Sequence, residues 1–210
     1  MLEHVPQWLG EMMRPLRAGA DELCIAQPEL GGDFGPIDLG SPAFAHGSRL
    51  PLRFTADGEG VSPPLVWGQL PEGTCSLALI VEDPDSPSPD PLVHAIVWGI
   101  GPWVHAIPEG AIRPDGYGSE NGSDVGLNSF FLEGWLPPDP PTGHGDHEYA
   151  FQLFALGQID HPGASPGRGA LVRAMAGRVL GAGLLIGVYS REEAEAARGG
   201  LIEEAARTFI

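Results

Sequence analysis

The sequence predicts a mainly β domain, rich in antiparallel strands, with a few peripheral helices at its ends. Three observations carry that expectation. Short apolar runs, residues 77–81 and 153–156, are bounded by turn-forming residues, as strands buried on both faces are. The 31 glycines and 22 prolines, roughly a quarter of the 210 residues, punctuate many short elements. A hydrophobic content of 42% suffices to bury a core, so a low-complexity disordered chain is excluded. The length fits one generous domain rather than two.

Taken in order, residues 2–16 place Leu2, Val5, Leu9, Met12, Met13 and Leu16 at helical spacing, which predicts a short amphipathic helix. Such a helix must hide its apolar stripe, either against its own domain or by pairing across a two-fold axis, and a homodimer is the expectation. Residues 27–40 show neither periodicity and read as a linker, so residues 1–40 form an N-terminal helix and linker and the core domain spans 41–190. Within it, residues 93–100 and 184–189 read as further strands. Leu171, Val172, Met175, Val179 and Leu180 predict a helix over 169–182. Residues 191–210 are a helical extension rich in Ala and Glu, broken at Gly199 and Gly200.

Eleven basic residues against 28 acidic ones give a net charge of −17. Phosphate backbones and anionic membrane surfaces draw their affinity from clustered Lys and Arg, so neither is an expected partner. The most apolar stretch, 92–107, is interrupted by His94, Pro102 and His105 and is too short for a membrane span. The N-terminus carries Glu3 and lacks an uninterrupted apolar stretch, which makes the cytoplasm the expected location. Cys24 and Cys75, two and far apart, read as inert reduced thiols and not as a disulfide framework.

Chemistry concentrates in three places. Glu82-Asp83-Pro84-Asp85-Ser86-Pro87 follows a strand directly, and an extended backbone would put Asp83 and Asp85 on one side, about 6.7 Å apart. His94 opens an apolar strand and shares the parity of Ile96, Trp98 and Ile100. In Pro140-Pro141-Thr142-Gly143-His144-Gly145-Asp146-His147-Glu148-Tyr149, His147 and Tyr149 face one side, and the glycines let the backbone approach a ligand. A carboxylate-oriented histidine, a phenol and glycine amides suit a small anion. His144 and His147 alone do not make a metal site, and no metal or other cofactor is expected. G-x-S-x-G, Walker, G-x-G-x-x-G and H-E-x-x-H signatures are missing from the sequence. Asn121-Gly122-Ser123 reads as a turn.

In their order, these elements resemble the phosphatidylethanolamine-binding protein family, which includes the Raf kinase inhibitor proteins and small bacterial and archaeal members. The likeness rests on Ser62-Pro63-Pro64-Leu65-x-Trp67, Pro71-x-Gly73-Thr74-x-Ser76-x-Ala78-Leu79, Asp83-Pro84-Asp85-x-Pro87, His94, and Pro140-Pro141-x-Gly143 leading to His147-x-Tyr149. It implies a β-sandwich whose pocket residues fall on Asp83, Asp85, Pro87, His94, Pro141, Gly143, His147 and Tyr149. The chain departs from the family pattern at Glu148, where the family carries arginine, at Gly134-Trp135-Leu136-Pro137-Pro138, and at Val93. The expected function is a non-enzymatic binding module for a small phosphate- or carboxylate-bearing ligand, such as a phospholipid headgroup, that regulates a protein partner such as a kinase. The alternative is a hydrolase with a His/Asp general base acting on an ester or phosphoester.

Overall fold

Ten strands and one α-helix occupy the residues described by the computed structural model, 17–113 and 124–191. The strands are β1 (Gly35–Pro36), β2 (Leu39–Gly40), β3 (Ser48–Arg49), β4 (Leu65–Trp67), β5 (Ser76–Asp83), β6 (Leu92–Ile100), β7 (Ala106–Ile107), β8 (Asp124–Val125), β9 (His147–Leu156) and β10 (Val179–Tyr189). The helix α1 spans Arg168–Met175. A seven-stranded sheet runs β1-β10-β9-β5-β6-β8, with β3 also paired to β10, and a three-stranded sheet runs β2-β4-β7. The long central pairings are antiparallel, whereas β1 and β3 join β10 in parallel.

The two sheets close a sandwich over the larger core, where Leu39, Leu65, Trp67 and Ile107 meet Leu79, Val81, Val97, Phe151 and Leu153. The opposite face of the large sheet is covered as well. Cys24, Leu30, Leu171, Val172 and Met175 pack there on Ala78, Ile80, Ile96, Phe154 and Leu156. Double coverage explains why β5 and β9 are almost continuously apolar, as their sequences predict, where an antiparallel strand with one wet face would alternate. Close approach to β10 depends on its glycines: a Cβ at Gly187 would stand 2.4 Å from Leu50 Cδ2.

Two segments differ from their sequence reading. Residues 27–40 are not a bare linker: Pro28–Leu30 form a 3₁₀ turn, β1 and β2 pair with neighbours, and Leu30, Ile37 and Leu39 are buried. Two-residue strands carry no readable period. The helix expected over 169–182 ends at Met175, because Gly177 takes a φ of 65° and the chain enters β10 at Val179. Val179 and Leu180 happen to continue the helical spacing while belonging to a strand. The helices expected over 2–16 and 192–207, their pairing into a dimer, and the turn at 121–123 lie outside the described residues.

Candidate ligand pocket

Asp83 closes β5 and Pro84 withholds the next backbone donor, so the chain turns there. Asp83 Oδ1 accepts the N–H of Asp85 at 2.8 Å, a side-chain-closed turn that replaces the extended geometry expected for the two carboxylates. Asp85 consequently points elsewhere. Its Oδ2 accepts the N–H of Glu148 at 2.7 Å, and its Oδ1 pairs with Arg17.

The other oxygen of Asp83, Oδ2, accepts from His147 Nδ1 at 2.7 Å in a pair whose side chains are 4% and 1% exposed. With the carboxylate holding Nδ1–H, Nε2 of His147 shares a hydrogen bond with Nδ1 of His144 at 2.6 Å, and in the neutral form of His147 that Nε2 is the acceptor. The carboxylate therefore orients this ring through Nδ1, while its second nitrogen is turned to His144.

His94 departs from its expected parity. Across from it, Val81 pairs with Ala95 while Glu82 pairs with Val93, so His94 is the extra residue of a β-bulge. Val93 and Ile96 therefore join the back core while Ala95 and Val97 join the front. The bulge sends the His94 ring to the front, edge-on to Tyr149 at 5.1 Å and 6.2 Å from Trp135. Nδ1–H donates to the Leu136 carbonyl at 2.7 Å. Nε2 is buried and has no partner among the described residues. Burial holds the imidazole below its ordinary pKa, against the opposing pull of Asp83 and the Leu136 carbonyl, so the ring is neutral at pH 7. The imidazolium that an anion site would use is thus not preformed.

These groups line a cavity of about 130 Å³. Of the eight residues expected there, Asp83, Pro87, His94, Pro141 and His147 form its wall; Asp85, Gly143 and Tyr149 do not. Gly143 shapes the preceding turn with a φ of 86°. Tyr149 is fully buried against His94, and its hydroxyl, without a hydrogen-bond partner among the described residues, is held well above the ordinary phenol pKa, first by burial and then by the charge of Asp83.

Sequence reasoning missed Phe130, Leu136, Pro137 and Asp139, which complete much of the wall. It also missed what secures Asp139. Arg191, placed by the sequence at the start of the C-terminal extension, is 5% exposed and bonds both Asp139 Oδ1 and Asp57 Oδ2, the latter at 2.9 Å. Tyr189 donates to the same Asp57 oxygen at 2.6 Å, and burial together with that bond pushes its pKa up to about 12. The available signal was an arginine directly after a strong strand, which alone does not name its partners.

Comparison with known proteins identifies the family. A UPF0098 protein of Methanothermobacter thermautotrophicus is 40% identical over 157 residues, covering 74% of this chain and 99% of that protein. Among solved structures, the phosphatidylethanolamine-binding protein homolog CT736 of Chlamydia trachomatis is similar at 31% identity with a TM-score of 0.65, over 74% of this chain and 98% of that one. YbcL of E. coli, described as a member of the mammalian family of that name, aligns at 28% identity with a TM-score of 0.69, over 74% and 99%. Residues 40–190 match the model of the phosphatidylethanolamine-binding protein family, and the chain belongs to that family.

Proposed function

We propose that the protein is a binding module whose pocket takes the acidic head of a small phosphate- or carboxylate-bearing ligand in a protonated form. The carrying observation is His94 Nε2, a buried acceptor without a partner in the pocket wall. Leaving such an atom unsatisfied costs about 1–3 kcal/mol, which a ligand hydroxyl recovers. A phosphate monoanion or a carboxylic acid brings at least one acidic O–H that can donate to this nitrogen. Apolar walls from Pro87, Phe130, Leu136, Pro137 and Pro141 exclude water around that bond.

Binding is favoured over hydrolysis by the geometry of the same groups. The His147–Asp83 pair is the orienting half of a general-base site, yet His147 Nε2 is engaged by His144. The nearby Ser86 hydroxyl shares a hydrogen bond with Ser88 at 2.6 Å and not with a histidine. Titration calorimetry with inorganic phosphate and with acetate, between pH 5 and pH 8, tests the reading. Affinity is expected to rise as pH falls and the monoanion or free acid accumulates, and to disappear in His94→Leu. Equal heats for wild type and His94→Leu at pH 5.5 would refute it.

A further inference from the structure

Residues 17–25 run beside the end of β5 and hold three of the four residues, 82–85, that close the strand and open the turn after it. Cys24 N–H donates to Glu82 Oε2 at 2.7 Å, Gly19 N–H donates to the Pro84 carbonyl at 2.9 Å, and Arg17 pairs with Asp85 Oδ1. The remaining one, Asp83, is the carboxylate that orients His147. This segment precedes the 40–190 region that matches the family model, so membership of the family does not account for it.

Arg17 does more than neutralise one carboxylate. Its Nη1 also donates to the backbone carbonyl of Asp146 at 3.1 Å. Asp85 lies two residues after Asp83, and Asp146 immediately precedes His147. One guanidinium therefore ties together the two backbone segments whose side chains form the buried His147–Asp83 pair. Its surroundings are acidic: Asp83, Asp85, Asp146 and Glu148 lie on those two segments. The nearby Arg49 bonds the Asp146 carboxylate at 3.0 Å, which leaves the pairing of Asp85 to Arg17. Without Arg17, Asp85 would face Asp83 as a like charge across the turn that Asp83 itself closes.

We propose that Arg17 is a positioning residue for the pocket, a cross-loop clamp supplied by the N-terminal segment. The clamp acts through Asp85, whose carboxylate also fixes the Glu148 N–H at the start of β9. Its consequence for affinity rests on the ligand reading above; the clamp itself does not.

The test has two arms. Amide hydrogen exchange followed by NMR should show faster exchange at Asp85 and Glu148 in Arg17→Ala, by roughly fivefold or more, with Leu79 in the middle of β5 unchanged. Calorimetry with inorganic phosphate should show affinity weakened roughly two- to fivefold, the range for loss of one partly exposed charged contact. Arg17→Ala combined with Glu148→Arg should recover both, because the backbone of residue 148 already sits on Asp85 and brings a new guanidinium within reach. Unchanged exchange in Arg17→Ala overturns the clamp. Faster exchange with unchanged phosphate affinity reduces Arg17 to a structural tether and overturns the positioning role, as does failure of Glu148→Arg to restore affinity. A wild-type protein that binds no phosphate overturns the ligand reading, while the exchange arm still decides the clamp.

Discussion

Asp83→Asn reverses a proton arrangement without changing the shape of the site. In the native protein Asp83 accepts two hydrogen bonds, from the Asp85 N–H at 2.8 Å and from His147 Nδ1 at 2.7 Å. An asparagine keeps one acceptor and gains a donor. If its carbonyl stays on the Asp85 N–H, its NH₂ faces His147 Nδ1, which must give up its proton. Starting from the neutral form, the His147 proton moves to Nε2 and the His144 proton to its own Nε2, so that His147 donates to His144 Nδ1 where it previously accepted. The rings stay in place while the direction of the relay inverts. Loss of a charged acceptor from a pair only 4% and 1% exposed is worth about 1.5–3 kcal/mol, and Asp83→Ala, which leaves the buried imidazole N–H unpaired, about 3–5 kcal/mol. Urea titration reads the two costs, and long-range ¹⁵N–¹H correlation of the imidazoles reads the tautomer. A His147 ring that keeps its proton on Nδ1 in Asp83→Asn, or an asparagine variant as unstable as the alanine one, would refute this account.

Two further outcomes follow from buried charge. Glu82 is fully buried and accepts from Cys24 N–H and Gln152 Nε2, each at 2.7 Å, and from Arg168 Nε at 2.5 Å, so Glu82→Ala should cost about 3–5 kcal/mol in urea titration; a loss below about 1 kcal/mol contradicts the hub. His94 is held below its ordinary pKa in the folded state, so as pH falls below about 6.5 the unfolded chain takes up a proton that the folded one refuses. Its contribution is therefore complete above that pH and is lost on the acid side, by up to about 1.4 kcal/mol per pH unit, until the folded pKa is reached; His94→Gln should remove this part of the slope, and an unchanged slope contradicts it.

What could be read from the sequence depended on how many residues carried each signal. β5, β6 and β9 are eight to ten residues long and announced themselves by continuous apolar runs. β1, β2 and β3 are two residues each and exist only because a neighbour's edge receives them, so no local pattern predicts them. Among site residues, those inside short motifs with prolines and glycines were legible, and five of the eight reach the wall. Asp85 failed to do so because a side chain can satisfy the backbone of its own turn, a competition that strand geometry ignores. Asp139 and Arg191 are 52 positions apart, and nothing local links them. The parity of His94 was misread for a different reason: one inserted residue shifts all that follows, and the bulge is visible only in the pairing with β5.

That bulge bears on which ligand the pocket selects. Had His94 kept the parity of Ile96, its ring would lie on the back face with Ile96 and Phe154, away from Asp83. Brought to the front, it joins two carboxylates, Asp83 and Asp139, in a wall where burial keeps it uncharged. A dianion entering this space meets like charge from both acids and a lone pair from Nε2, three unfavourable contacts before any favourable one. A monoprotonated acid meets the same nitrogen with a donor and carries less charge toward the carboxylates. Asp139 is itself paired with Arg191, which leaves Asp83 as the carboxylate whose negative charge most directly opposes an anion. Because Asp83 also supports a proton on His94, charge repulsion toward the ligand and proton affinity of the pocket have a common source. On the proposed reading, ligand discrimination should therefore follow the protonation state of the ligand's acidic group ahead of its size.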